Sequence, residues 1–137
     1  MAYEGFRPEI TPLDAPFWDA LRRHELVVQE CTACGHLGFI PTELCPACHS
    51  PATAWVPVSG RATVYTYTVV HRAPTPAYQA DAPYALAYVE LEEGPRMPGR
   101  LVDVDLTAVE VGMPVEVVFD DVAPDLTLYR FRSVDRR

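Results

Sequence analysis

At 137 residues the chain suits one domain or two small ones sharing a surface, and a hydrophobic fraction of 49% is enough for a core, which excludes wholesale disorder. Eleven basic against 19 acidic residues leave a formal net charge of −8, a surface that repels a phosphate backbone and argues against general nucleic-acid binding. No stretch approaches the roughly 20 apolar residues that cross a bilayer, and the opening MAYEGFRPEITPLD lacks a basic start followed by an apolar run, so the protein is expected in the cytoplasm, away from membranes, with its thiols reduced.

Residues 1–25 read as a loop and a short helix. Asp14 is a candidate N-cap and Pro16 sits in the first turn, where a missing N–H costs nothing. Phe17 and Leu21, four apart, share a face that Trp18 widens, and so short a helix has to pack on something. Residues 26–60 carry three brief strand candidates, 26–30, 37–40 and 54–58, around two cysteine pairs, ending at Gly60 as a joint. From Arg61 to residue 137 the texture changes to longer runs rich in β-branched and aromatic residues: 61–70, 84–91, 99–106, 115–120 and 126–134. A proline-bearing loop fills 71–83, and turn residues punctuate the rest. Five such strands predict a small closed barrel, and five is the strand count of an OB-fold.

Cys31-Thr-Ala-Cys34 and Cys45-Pro-Ala-Cys48 are two C-x2-C knuckles ten residues apart, and they use every cysteine of the chain. Each knuckle turns two thiolates toward one point, and two knuckles complete a tetrahedron of sulfurs about 2.3 Å from a zinc ion. Iron also accepts an S4 cage. Disulfides would need an oxidising compartment, and a redox C-x-x-C needs one pair in a thioredoxin-like setting. A closed four-thiolate zinc site is structural, with no open position for substrate, and in a ribbon this poor in large apolar residues the metal supplies what a core cannot. His36 and His49 lie just beyond the knuckles and are expected to be exposed neighbours, not ligands.

Catalytic signatures are thin. There is no nucleophile elbow, P-loop, dinucleotide fingerprint or H-E-x-x-H. His71, Asp81 and Tyr84 flank one loop without a nucleophile beside them, and Glu92-Glu93 and Asp120-Asp121 read as solvated turn residues. The chain is not expected to be an enzyme by itself.

The order of the pieces resembles a known family. PFWDALRRHEL (16–26), CTACG (31–35), CPAC (45–48), WVPVSG (55–60), ATVYTYTVV (62–70), APYALAYVELEEG (82–94) and VEVGMPVEVVFDD (109–121) are similar to the zinc-ribbon/OB-fold proteins, once called a domain of unknown function, that accompany thiolase-fold enzymes in acyl-CoA metabolism. The resemblance implies a mainly β fold, an N-terminal helix and rubredoxin-like zinc ribbon followed by a five-stranded OB-fold barrel, with structural Zn2+ on Cys31, Cys34, Cys45 and Cys48. It implies a noncatalytic subunit, or a domain excised from a hydratase fusion, that partners a thiolase or steroid side-chain retro-aldolase and shares an acyl-CoA site. An autonomous acyl-CoA-binding module is the alternative. Arg72, Arg96 and Arg100 are then candidates for the CoA phosphates, and Phe17, Trp18 and Tyr78 for partner anchors.

Overall fold

The computed structural model describes residue 3 and residues 5–134, so the expected domain limits at residues 1 and 137 lie outside the described residues. A helix, α1 (Ala15–Arg22), opens the fold with Pro16 in its first turn and Arg22 in its last. Asp14 precedes it without capping it. Its carboxylate accepts hydrogen bonds from the backbone N–H and hydroxyl of Thr11, at 2.7 and 3.0 Å, so it orders the incoming turn instead. The far end closes by a Schellman motif: Glu25 N–H donates to Ala20 O and His24 N–H to Leu21 O, with His24 left-handed at φ 58. A histidine in the place usually taken by glycine is held there by its ring. It stacks on Phe119 at 5.1 Å and meets the Asp121 carboxylate at 3.0 Å.

Three short strands follow: β1 (Val27–Cys31), β2 (Leu37–Gly38) and β3 (Thr53–Pro57), in the order β2-β1-β3, all antiparallel. Gln29 of β1 is buried, and its side-chain amide exchanges two 2.9 Å hydrogen bonds with the backbone of Thr42. That exchange pins the segment between the cysteine pairs onto the sheet.

Gly60, at φ 84, joins this unit to the next, and an added Cβ there would run into the Val117 side chain. Five strands then form a closed barrel in the order β4-β5-β6-β8-β7: β4 (Arg61–Val70), β5 (Tyr84–Leu91), β6 (Arg96–Val102), β7 (Pro114–Ala123) and β8 (Leu126–Ser133). The expected loop 71–83 holds one short helical turn, α2 (Pro76–Gln79). The barrel closes twice, where β7 returns antiparallel to β4 and where β6 meets β8 in a short parallel pair at Leu101–Phe131 and Val102–Arg132. β6 begins three residues earlier than the sequence suggested and stops at Val102, where Asp103 turns left-handed at φ 53. Pro98 is tolerated inside it because the β8-facing side of β6 has no ladder at that height; there the Tyr129 hydroxyl donates to Pro98 O at 2.5 Å.

One core serves both halves. Phe131, Met97, Leu91, Val89, Val64 and Val115 fill the barrel, and Leu21 and Val28 extend the same cluster toward the ribbon. Phe17 sits at the crossing point, with Phe39 and Trp55 of the ribbon at 5.2 and 6.2 Å and Tyr129 of the barrel at 5.8 Å.

Candidate metal centre and the barrel groove

The two cysteine turns are built alike. Cys31 N–H donates to His36 O and Cys45 N–H to Ser50 O, while Gly35 N–H returns to Cys31 O and His49 N–H to Cys45 O. Gly35 (φ 82) and His49 (φ 65) occupy equivalent left-handed positions. His49 therefore stands where the first knuckle has glycine, a backbone role that the sequence reading missed. The repeated order C-x-x-C followed by one left-handed residue was the available signal. His36 and His49 are both exposed.

All four Sγ atoms lie within 4.8 Å of one another. Cys31 and Cys48 approach to 3.6 Å and Cys34 and Cys45 to 3.7 Å, across the two knuckles. These distances are far beyond a disulfide bond. They are close to the edge of about 3.8 Å that a tetrahedron with bonds of about 2.3 Å requires. Cys31 and Cys45 are buried, Cys34 and Cys48 exposed. Burial works to raise the Cys45 thiol, and the N–H groups of Cys48 and Ala47 lead the effects that outweigh it, drawing it down to about 6. The Ala47 N–H lies 3.3 Å from that sulfur. Soft sulfur donors, tetrahedral edges and N–H groups aimed at sulfur fit zinc, and four thiolates fill its coordination sphere. The centre holds the ribbon together and leaves a substrate no place on the metal.

A second feature lies on the barrel. An open groove of about 550 Å3 is lined by Tyr67 and Thr68 of β4, Leu86 and Tyr88 of β5, and Pro98 and Arg100 of β6, among others. A bulge between Val64 and Thr66 shifts the register of β4, and beyond it Tyr67 pairs with Ala87 while Gly99 faces the same Ala87 from β6. Gly99 is obligatory there because an added Cβ would stand 2.7 Å from the Phe131 ring. Tyr129 also lines the groove, with burial raising its phenol well above the ordinary range, so the hydroxyl stays a donor.

The remaining expected site residues are dispersed. Arg96 pairs with Glu90 at 3.0 Å and lies over the Tyr65 ring, and Arg100 pairs with Asp81 at 3.1 Å and lies over the Tyr84 ring. Both guanidiniums are thus already held by carboxylates. Arg72 is exposed just past β4. Asp81 and Tyr84 both meet Arg100, the carboxylate as its ion-pair partner and the ring beneath its guanidinium. The expectation for Phe17 is corrected: at 3% exposure it is a core residue, because the apolar side of α1 faces the barrel and ribbon at once. Trp18 is half-buried against it, and Tyr78 is half-buried with its hydroxyl accepting the Phe6 N–H at 2.9 Å.

Residues 18–54 match the family described as the ChsH2 rubredoxin-like zinc ribbon domain, and residues 55–120 match the ChsH2 C-terminal OB-fold domain. A DUF35 domain-containing scaffold protein of Methanocaldococcus jannaschii is 40% identical over 75% of this chain and 73% of its own. The chain belongs to the DUF35 family. Two other relatives are a probable enoyl-CoA hydratase alpha subunit of Thermomonospora curvata, 39% identical over 92% of this chain, and the 3-oxo-4,17-pregnadiene-20-carboxyl-CoA hydratase alpha subunit of Mycobacterium tuberculosis, 38% identical over 90%. The alignments span only 39% and 38% of the lengths of those two subunits. Among solved structures, a chain of the Ltp2-ChsH2(DUF35) aldolase superposes with a TM-score of 0.84 at 38% identity, covering 93% of this chain and 98% of that one. The likeness bears out the expected family and the order of ribbon and barrel. No helix among the described residues is long and apolar enough to cross a membrane.

Proposed function

We propose that this DUF35 chain is a noncatalytic accessory subunit or domain that binds a thiolase-fold enzyme, of the thiolase or steroid side-chain retro-aldolase type, and helps shape its acyl-CoA site. The observation that carries the reading is the end-to-end likeness to a chain of the Ltp2-ChsH2(DUF35) aldolase. The names of the relatives, scaffold proteins and hydratase subunits acting on CoA thioesters, support it. So does the chemistry of the chain, whose cysteines converge in a closed thiolate cage. Of the three arginines proposed to meet CoA phosphates, Arg72 is the strongest, since Arg96 and Arg100 would first have to leave Glu90 and Asp81.

Co-expression with a thiolase-fold enzyme encoded beside it should give one comigrating peak in gel filtration. Two separate peaks, with full activity in the enzyme alone, would refute the proposal. Calorimetry of the isolated chain with CoA thioesters tests the alternative of an autonomous acyl-CoA-binding module, which predicts saturable heat without the enzyme.

A further inference from the structure

Beside the groove the barrel exposes large apolar side chains that a monomer gains nothing by exposing. Tyr65 and Tyr67 of β4 are 48% and 38% exposed, and Leu86 and Tyr88 of β5 are 42% and 50% exposed. Leu86 and Tyr88 stand on the outer side of β5 with Thr68 and Thr66 as their cross-strand partners, whereas Tyr67 pairs with the buried Ala87 on the other side. Arg96 reaches from β6 across to the Tyr65 ring, 3.8 Å from its centroid, and Arg100 borders the groove from the same strand. Tyr65, Leu86 and Tyr88, which share the outer side, offer roughly 300 Å2, a substantial part of the apolar centre of a standard interface of about 800 Å2 per partner. Tyrosine and arginine are enriched in such centres.

Resting on the accessory-subunit reading, we propose that this β4-β5-β6 face is the surface that docks the partner enzyme, and that the partner inserts an apolar projection into the groove over Ala87 and Gly99. Charge decides between occupants. A second copy would bring together two chains each at −8, which repel, so the occupant is a different protein with a less acidic docking surface. A nucleic acid would stack on the same aromatics but needs free cations for its phosphates, and the two arginines here are neutralised by Glu90 and Asp81. Elsewhere, Ile40 and Leu44 at the ribbon tip are also exposed, at 67% and 52%, and the cavity that Ile40 lines holds only about 90 Å3.

The test uses the co-expressed complex and two double variants of exposed residues, Leu86→Asp/Tyr88→Asp on the barrel face and Ile40→Asp/Leu44→Asp on the ribbon tip, each checked for an unchanged circular dichroism spectrum. A milder pair, Leu86→Ala/Tyr88→Ala, replaces the first if that one misfolds. Affinity for the enzyme, read by biolayer interferometry, should fall at least tenfold for the barrel variant and less than threefold for the tip variant. Wild-type comigration with full affinity of the barrel variant would overturn this inference and leave the accessory role standing. No wild-type complex at all would remove the accessory role itself. Self-association of the isolated chain, or its salt-dependent binding of a labelled single-stranded DNA, abolished by the barrel variant would overturn the assignment of the face to the enzyme.

Discussion

The ribbon and the barrel are both small antiparallel structures, yet they are stabilised by different means. Between residues 27 and 57 the buried apolar residues outside the cysteines are Val27 and Val28, both on β1. The barrel buries Val64, Val89, Leu91, Met97, Leu101, Val115, Leu126 and Phe131. A sheet of three strands, the middle one five residues long and one of its neighbours only two, has no second layer of its own. Its loops are tied by sulfur at one end and by the Gln29–Thr42 exchange in the middle. The contrast teaches that size of core, not strand content, sets which half depends on metal.

The largest expected effect comes from removing the metal. Stripping zinc with a strong chelator, or Cys45→Ala, should cost the ribbon on the order of 10 kcal/mol on the zinc-finger scale. Hydrogen exchange read by mass spectrometry should then show Val27–Pro57 losing protection while Tyr84–Leu91 keeps most of its own. Uniform loss across both halves would erase the distinction. Next in size, Phe131→Ala empties the centre of the barrel, where Phe131 is fully buried against Gly99 and Tyr129, and should cost about 3–5 kcal/mol. Zinc stoichiometry by colorimetric release should stay at one per chain in the folded fraction; a fall would mean the halves are more tightly coupled than their separate supports suggest.

The smallest effect lies at the contact between α1 and the barrel. The Thr127 hydroxyl, then the His24 ring, hold the Asp121 carboxyl below its usual range. A depressed carboxyl stabilises the fold above its unfolded pKa of about 4, and that contribution disappears as pH falls through the depressed folded value. Asp121→Asn should therefore start slightly less stable at neutral pH, and its curve of urea midpoint against pH should converge on the wild-type curve in acid. Parallel curves would show that Asp121 contributes nothing to this contact.

How much of this was legible in the sequence depended on whether a signal was local. The runs of β-branched and aromatic residues fixed β4 and β5 to their observed ends, and the C-x2-C spacing located the sulfur cage, because each is a short-range pattern. Pro98 misled the start of β6, since a proline reads as turn unless one knows that a strand lacks a neighbour at that height. The stripe of Phe17, Trp18 and Leu21 announced an apolar face without saying what it met. The groove was invisible, because its lining comes from β4, β5, β6 and Tyr129, which only the barrel's register brings together.

The parallel pair of β6 and β8 has a consequence for synthesis. The ribbon is contiguous in the chain and complete by Pro57, so a nascent polypeptide emerging from the ribosome can capture its ion while the second half is still being translated. The barrel, in contrast, waits for Phe131 and its flanking strand, which arrive last and supply both the closing ladder and the centre of its interior. Until then Phe17 has the ribbon's Phe39 and Trp55 to lean on but not Tyr129, and the tethered, metal-bound half shelters one side of an unfinished one.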